Sequence, residues 1–183
     1  GRIEDAKVLH LTAYLMLGEP MASRAKEAIR VAKAAGCLVS LDVADPFVIG
    51  LVGDALWETI REDADVVFLN REEATALCGS ADEEALKKLG AHCRTAVIKL
   101  GSQGSIVWHE GDIVRVGVYS ADLVDTTGAG DAYAAGFLYG LVNGWSVERA
   151  ADLGSRVAAG ARAEQPPGHG RVPTLRSEQE RLR

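Results

Sequence analysis

Short apolar runs recur along the chain, and between them apolar residues return every three or four positions. Residues 8–12 form the first such run and read as a buried strand. Met21, Ala25, Ala28, Ile29 and Ala32 then share one helical face, with Pro20 where a first-turn proline is tolerated and Gly36 as the stop. Residues 37–42 are the next strand, which Asp42 ends with a polar group pointing beyond the sheet. Asp54 is placed to cap a short helix carrying Leu56 and Ile60, and Val66, Val67, Phe68 and Leu69 form a strand ending at Asn70. Helices are predicted over 71–79 and 81–90, the second with Ser80 and Glu83 at capping-box spacing, and residues 95–100 are again apolar.

From there the pattern changes. A turn at 101–104, a strand at 105–109, a tight turn at 110–112 and a strand at 113–119 read as hairpins on a sheet edge. A glycine-rich segment, 125–131, leads into a small-residue helix reaching 143, a second helix over 146–164 and a turn at 165–170. Residues 174–182 are amphipathic, a terminal helix or a frayed end. Strands apolar on both faces, alternating with helices, imply an α/β fold whose mostly parallel sheet is covered by helices on both sides. In such folds ligands bind beyond the carboxyl ends of strands, so Asp42, Asn70, Gly101 and the glycine segment can converge.

Composition narrows the picture. The 183 residues, 48% hydrophobic and 25% charged, suffice for one domain over 1–183 and are too few for two ordinary ones. Twenty basic against 26 acidic residues give a net charge of -6, which argues against nucleic acid or an anionic membrane as the main partner. No apolar run approaches the roughly 18–20 residues of a membrane span, and the first residues lack a signal-peptide pattern, so a cytoplasmic location is expected. Cys37, Cys78 and Cys93 are odd in number and widely spaced, which suits structural thiols. His10, His92, His109 and His169 share no metal-ligand spacing.

The chemistry concentrates in Asp125-Thr126-Thr127-Gly128-Ala129-Gly130-Asp131, directly ahead of a helix. Backbone N–H groups at a helix start lack intrahelical acceptors and carry the positive end of the dipole, so they form an anion site, and Gly128 and Gly130 let a phosphate approach. Two readings of Asp131 stand side by side. It is a general base that takes a proton from a substrate hydroxyl while the amides of Gly128, Ala129 and Gly130 stabilise a transferring phosphoryl group. Or it is a helix N-terminal carboxylate favoured by the dipole. A dinucleotide fingerprint is excluded because Tyr133 stands where the third glycine belongs, and no Walker loop is present. Asn70 and Glu73 have the spacing of a capping box.

The run 125–131 resembles the signature of the ribokinase-like, or PfkB, family of sugar and nucleoside kinases. Asn70-Arg71-Glu72-Glu73 resembles that family's NxxE motif and Leu100-Gly101-Ser102-Gln103-Gly104 its LGxxG turn, in the same order, with similarity over about 8–170. The resemblance implies a three-layer αβα ribokinase-like core. It implies an ATP- and Mg2+-dependent kinase that phosphorylates a hydroxyl of a small sugar or nucleoside, with Asp131 as catalytic base and Gly128, Ala129 and Gly130 as the anion hole. Lys99, Gly101 and Gly104 would contact the nucleotide, and Asn70 and Glu73 would act through water on Mg2+. Asp125 and Thr127, with backbone over 161–170, resemble a monovalent-cation (K+) site of some members.

Two positions depart from the family pattern. Lys99 stands where many relatives carry threonine, and it reads equally as a point charge for a phosphate or as a lysine snorkelling from a strand end. Ser155 stands where relatives often place an asparagine near the adenine. The run Ser40-Leu41-Asp42-Val43-Ala44-Asp45-Pro46-Phe47 resembles the adenosine-kinase-like branch, which implies a nucleoside or ribosyl acceptor. Asp42 and Asp45 equally suit strand-end and turn carboxylates.

Family members begin with a segment supplying the first strands and a small β lid. The chain is therefore expected to be a catalytic core without that segment, and to leave an exposed sheet edge on which the segment or a second copy would pair. The alternative is a nucleotide-binding or interaction module without transferase activity.

Overall fold

The computed structural model describes residues 2–118 and 128–160. Asp125, Thr127, His169, the predicted turn at 165–170 and the amphipathic stretch at 174–182 lie outside them. Six strands form one sheet in sequential order: β1 (Val8–Thr12), β2 (Leu38–Asp42), β3 (Val66–Asn70), β4 (Thr95–Lys99), β5 (Ser105–His109) and β6 (Asp112–Val116). The first four run parallel, and β4, β5 and β6 pair antiparallel as the expected hairpins.

The parallel strands are joined through α1 (Met21–Ala34), α2 (Pro46–Glu62), and the pair α3 (Arg71–Cys78) and α4 (Glu83–Gly90). Each strand is added on the same side of the last. Right-handed crossovers in one direction leave their helices on one face. There Leu41, Val67, Leu69 and Ile98 of the sheet pack with Ile29, Leu56, Ile60 and Leu86 of the helices. The opposite face is covered by α5 (Ala129–Val142) and α6 (Val147–Ala158), which bury Val66, Phe68, Val97 and Val107 beneath Tyr133, Phe137 and Ala150. Phe68 centres this second core, with the Phe137 ring edge-on at 5.5 Å.

Helices α5 and α6 approach closely because small residues face each other. A Cβ on Gly136 would lie 3.0 Å from the Gly154 Cα, and one on Gly154 would lie 2.9 Å from the Tyr133 carbonyl oxygen. The three layers, helices on both faces of a mixed sheet, are those expected from the alternating pattern. Among the described residues β1 forms one edge of the sheet.

Several boundaries differ from expectation. Helix α2 starts at Pro46, and Asp45 rather than Asp54 caps it, its carboxylate accepting from the Phe47 N–H at 2.6 Å. The backbone leaves helical values at Val52 (φ -127°, ψ 20°), so helical periodicity became readable only beyond this kink. Asp82, not Ser80, caps α4. It accepts from the N–H groups of Glu84 and Ala85, while the Ser80 hydroxyl donates to Asp82. Pro20 flanks α1 instead of opening it, and α6 ends at Ala158, short of 164. The three cysteines are free; burial pushes the Cys93 thiol up to about 12, which makes it inert.

Candidate active site

Parallel pairing carries distant residues to one end of the sheet. Asp42 stands level with Phe68, and two residues beyond Phe68 the row of Asn70, Lys99 and Ser105 stands level on the face covered by α5. The first turn of α5 lines the same cleft as this row. Together these residues line a cleft of about 750 Å³, which also takes in Glu73, Gly101, Gly104, Gly128, Ala129, Gly130, Asp131 and Ser155. The described residues expected to act in catalysis or to bind nucleotide and Mg2+ therefore share one cleft, whereas Asp45 does not line it and serves as the cap of α2. Asp125 and Thr127 lie outside the described residues.

The start of α5 has the features of an anion site. Gly128 takes a left-handed conformation (φ 77°), and as N-cap it has no side chain to cap the helix. The amides of its first turn are free of intrahelical acceptors and open to the cleft. A Cβ on Gly130 would stand 3.1 Å from the Lys99 ammonium. Glycine thus leaves the space between the first turn of α5 and the ammonium free of a side chain. Asp131 is exposed in the first turn of α5, at the cleft wall.

Asn70 and Glu73 form the capping box of α3. The Asn70 side chain accepts from the Glu73 N–H at 2.9 Å, and Glu73 accepts from the Asn70 N–H at 2.7 Å and from the Asn70 side-chain amide. Glu73 is only 3% exposed, and burial raises its pKa, opposed by the Asn70 N–H and by Lys99 and assisted by Asp42 and Asp45. Both carboxylate oxygens are engaged. The donor set of the cleft is nonetheless hard oxygen (Asp42, Asn70, Glu73, Asp131), which suits Mg2+ arriving with its waters and nucleotide phosphates better than a dedicated cage.

Gly101 and Gly104 shape the turn after β4. At Gly104 (φ 85°) a Cβ would lie 2.0 Å from the Val116 carbonyl oxygen, so no other residue fits. Ser155, 8% exposed, reaches the cleft from α6. Sequence reasoning missed Tyr133, whose hydroxyl bonds to that of Ser105 at 2.8 Å below the cleft floor. Burial pushes its phenol up to about 12. The one available signal was its place two residues after Asp131, where a helix that covers a sheet turns inward. Two histidines bond to their partners on the neighbouring strand: His10 to Ser40 at 3.0 Å and His109 to Thr95 at 2.9 Å.

Residues 1–174 match the profile of the pfkB family carbohydrate kinases. The chain belongs to the PfkB family. A 5-dehydro-2-deoxygluconokinase of Shouchella clausii is 34% identical over 167 residues, covering 87% of this chain and 51% of the relative. Among solved structures, adenosine kinase from Sinorhizobium meliloti superposes with a TM-score of 0.83 at 32% identity, covering 100% of this chain and 56% of that one. A probable sugar kinase from Rhizobium etli gives 0.81 at 32% identity, over 86% and 48%. The PfkB chain thus spans about half the length of the relatives it matches, and its fold is ribokinase-like. No described helix is long and apolar enough to cross a membrane.

Proposed function

We propose that this PfkB chain is the nucleotide-binding and catalytic core, a single α/β unit, of an ATP-dependent kinase that phosphorylates a hydroxyl of a sugar or nucleoside. The observation that carries this reading is the convergence of the Gly128–Asp131 turn, Lys99 and the Asn70–Glu73 box on one cleft. Asp131 takes the proton of the acceptor hydroxyl as its oxygen attacks the γ-phosphorus. The bond from that phosphorus to the β,γ-bridging oxygen breaks, and ADP leaves with the oxygen. The amides of Gly128, Ala129 and Gly130 receive the charge of the transferring group where it develops. Lys99 adds a positive charge beneath them.

Gly101, Gly104 and Ser155 border the nucleotide. When bound, Mg2+ neutralises charge on the phosphates, and Asn70 and Glu73 would hold its water shell. Asp125 and Thr127 are assigned to a K+ site that tunes the anion hole. The acceptor is a polyhydroxylated small molecule, in keeping with the sugar-acid and nucleoside kinases among the relatives. The edge of β1 is where a further strand would pair, whether from a longer chain or a second copy.

The test is transfer of the terminal phosphate of ATP to a panel of ketoses, sugar acids and nucleosides in the presence of Mg2+. A phosphorylated hydroxyl product supports the reading; nucleotide binding with no acceptor phosphorylated contradicts it for this chain.

A further inference from the structure

Lys99 is not free in the cleft. Its ammonium lies 3.0 Å from one carboxylate oxygen of Asp42, with side-chain exposures of 16% and 13%. The other Asp42 oxygen accepts from the Ala44 N–H at 3.0 Å, within a turn where the Asp45 N–H bonds to the Val43 carbonyl. Ala44 there holds a left-handed φ of 75°. Asp42 is thus fixed by backbone on one side and grips Lys99 with the other. The two residues are 57 apart in sequence and come from different strands.

A carboxylate in a cleft for a polyanion is a liability unless it does something else. Unpaired, it would repel phosphate. A lysine has a long flexible stem and loses rotamer freedom when its head is fixed, so without an anchor it would turn to solvent. Asp42 supplies that anchor, and the ammonium it fixes stands against the space left open by Gly130. His10 and Glu73 also face this charge from β1 and α3, and the Phe68 ring centroid lies 6.0 Å from it. Among them, Asp42 is the group bonded to it.

We propose that Asp42 is a positioning residue that holds the Lys99 ammonium beneath the first turn of α5, where it meets the terminal phosphate of the bound nucleotide. The proposal rests on the kinase reading above. It makes a prediction opposite in sign to simple charge repulsion. Removing the negative charge at Asp42 would tighten triphosphate binding if the carboxylate only repelled phosphate, and weakens it if the carboxylate positions Lys99.

The experiment is equilibrium binding of Mg2+-ADP and of a non-hydrolysable Mg2+-ATP analogue to the protein and its Asp42→Asn, Lys99→Met and doubly substituted forms. The preference for triphosphate over diphosphate is the readout. Lys99→Met is expected to lower that preference about tenfold, the scale of one charge-assisted hydrogen bond, with ADP affinity little changed. Asp42→Asn should lose most of the same preference, and the double form should be no worse than Lys99→Met. Asp42→Glu, which keeps the charge but displaces it, should fold and still lose part of the preference. Unchanged or tighter triphosphate binding by Asp42→Asn overturns the proposal, as does an equal loss for both nucleotides. Absence of binding of either nucleotide by the unsubstituted protein overturns the kinase reading itself, so the two failures are separable.

Discussion

Gly104 is the residue at which the turn after β4 admits no alternative, because a side chain would meet the Val116 carbonyl at 2.0 Å with φ at 85°. Gly104→Ala is expected to cost on the order of 3 kcal/mol from overpacking and backbone strain together, measured by urea denaturation. Glu73 gives a pH-dependent counterpart. Burial raises its pKa in the folded state, so the native protein binds more protons than the unfolded chain between the ordinary carboxylate range and the raised value. Unfolding free energy therefore falls as pH climbs through that window. Gln keeps an acceptor for the Asn70 N–H of the capping box without the charge, and gives up the second bond, from the Asn70 side-chain amide. Glu73→Gln should gain stability relative to the native protein on going from pH 4 to pH 7, and parallel melts at the two pH values check it. A constant difference would place the Glu73 carboxylate in water.

At the scale of elements, the α5–α6 contact sets the cleft. The two helices touch through Gly136 and Gly154, and α6 brings Ser155 to the wall that α5 begins. Gly154→Ala should push α6 outward at a cost of about 1–3 kcal/mol and weaken nucleotide binding with it, measured by melting in the presence and absence of Mg2+-ATP. The four parallel strands were legible because strands sandwiched between helices are apolar on both faces, and β5 and β6 because tight turns bound them as hairpins. Helix α2 was only half legible, since the Val52 kink breaks its periodicity and Asp45-Pro46-Phe47 reads as a turn. The cap of α4 was misplaced because Ser80 and Asp82 are both able to cap, and the choice is made by the path of the loop. The glycine turn, the Asn70–Glu73 box and Lys99 were readable as local motifs. The Asp42–Lys99 pair was not, because it exists only after β2, β3 and β4 align in register.

The whole molecule is a sheet whose carboxyl ends gather one oxygen-lined, amide-tipped cleft. Its sequential strand order puts four helices behind the sheet, and leaves α5 and α6 on the other face to form the roof. Asp131, exposed at the mouth of this roof, is the proposed base for phosphoryl transfer. Substituting Asp131→Asn keeps the size of the side chain and removes its basicity. With an acceptor that the unsubstituted protein phosphorylates, the account predicts a fall in kcat of about 10²–10⁴-fold while the melting shift given by Mg2+-ATP is retained. Transfer by Asp131→Asn at the unsubstituted rate would contradict it and reduce Asp131 to a carboxylate favoured by the helix dipole.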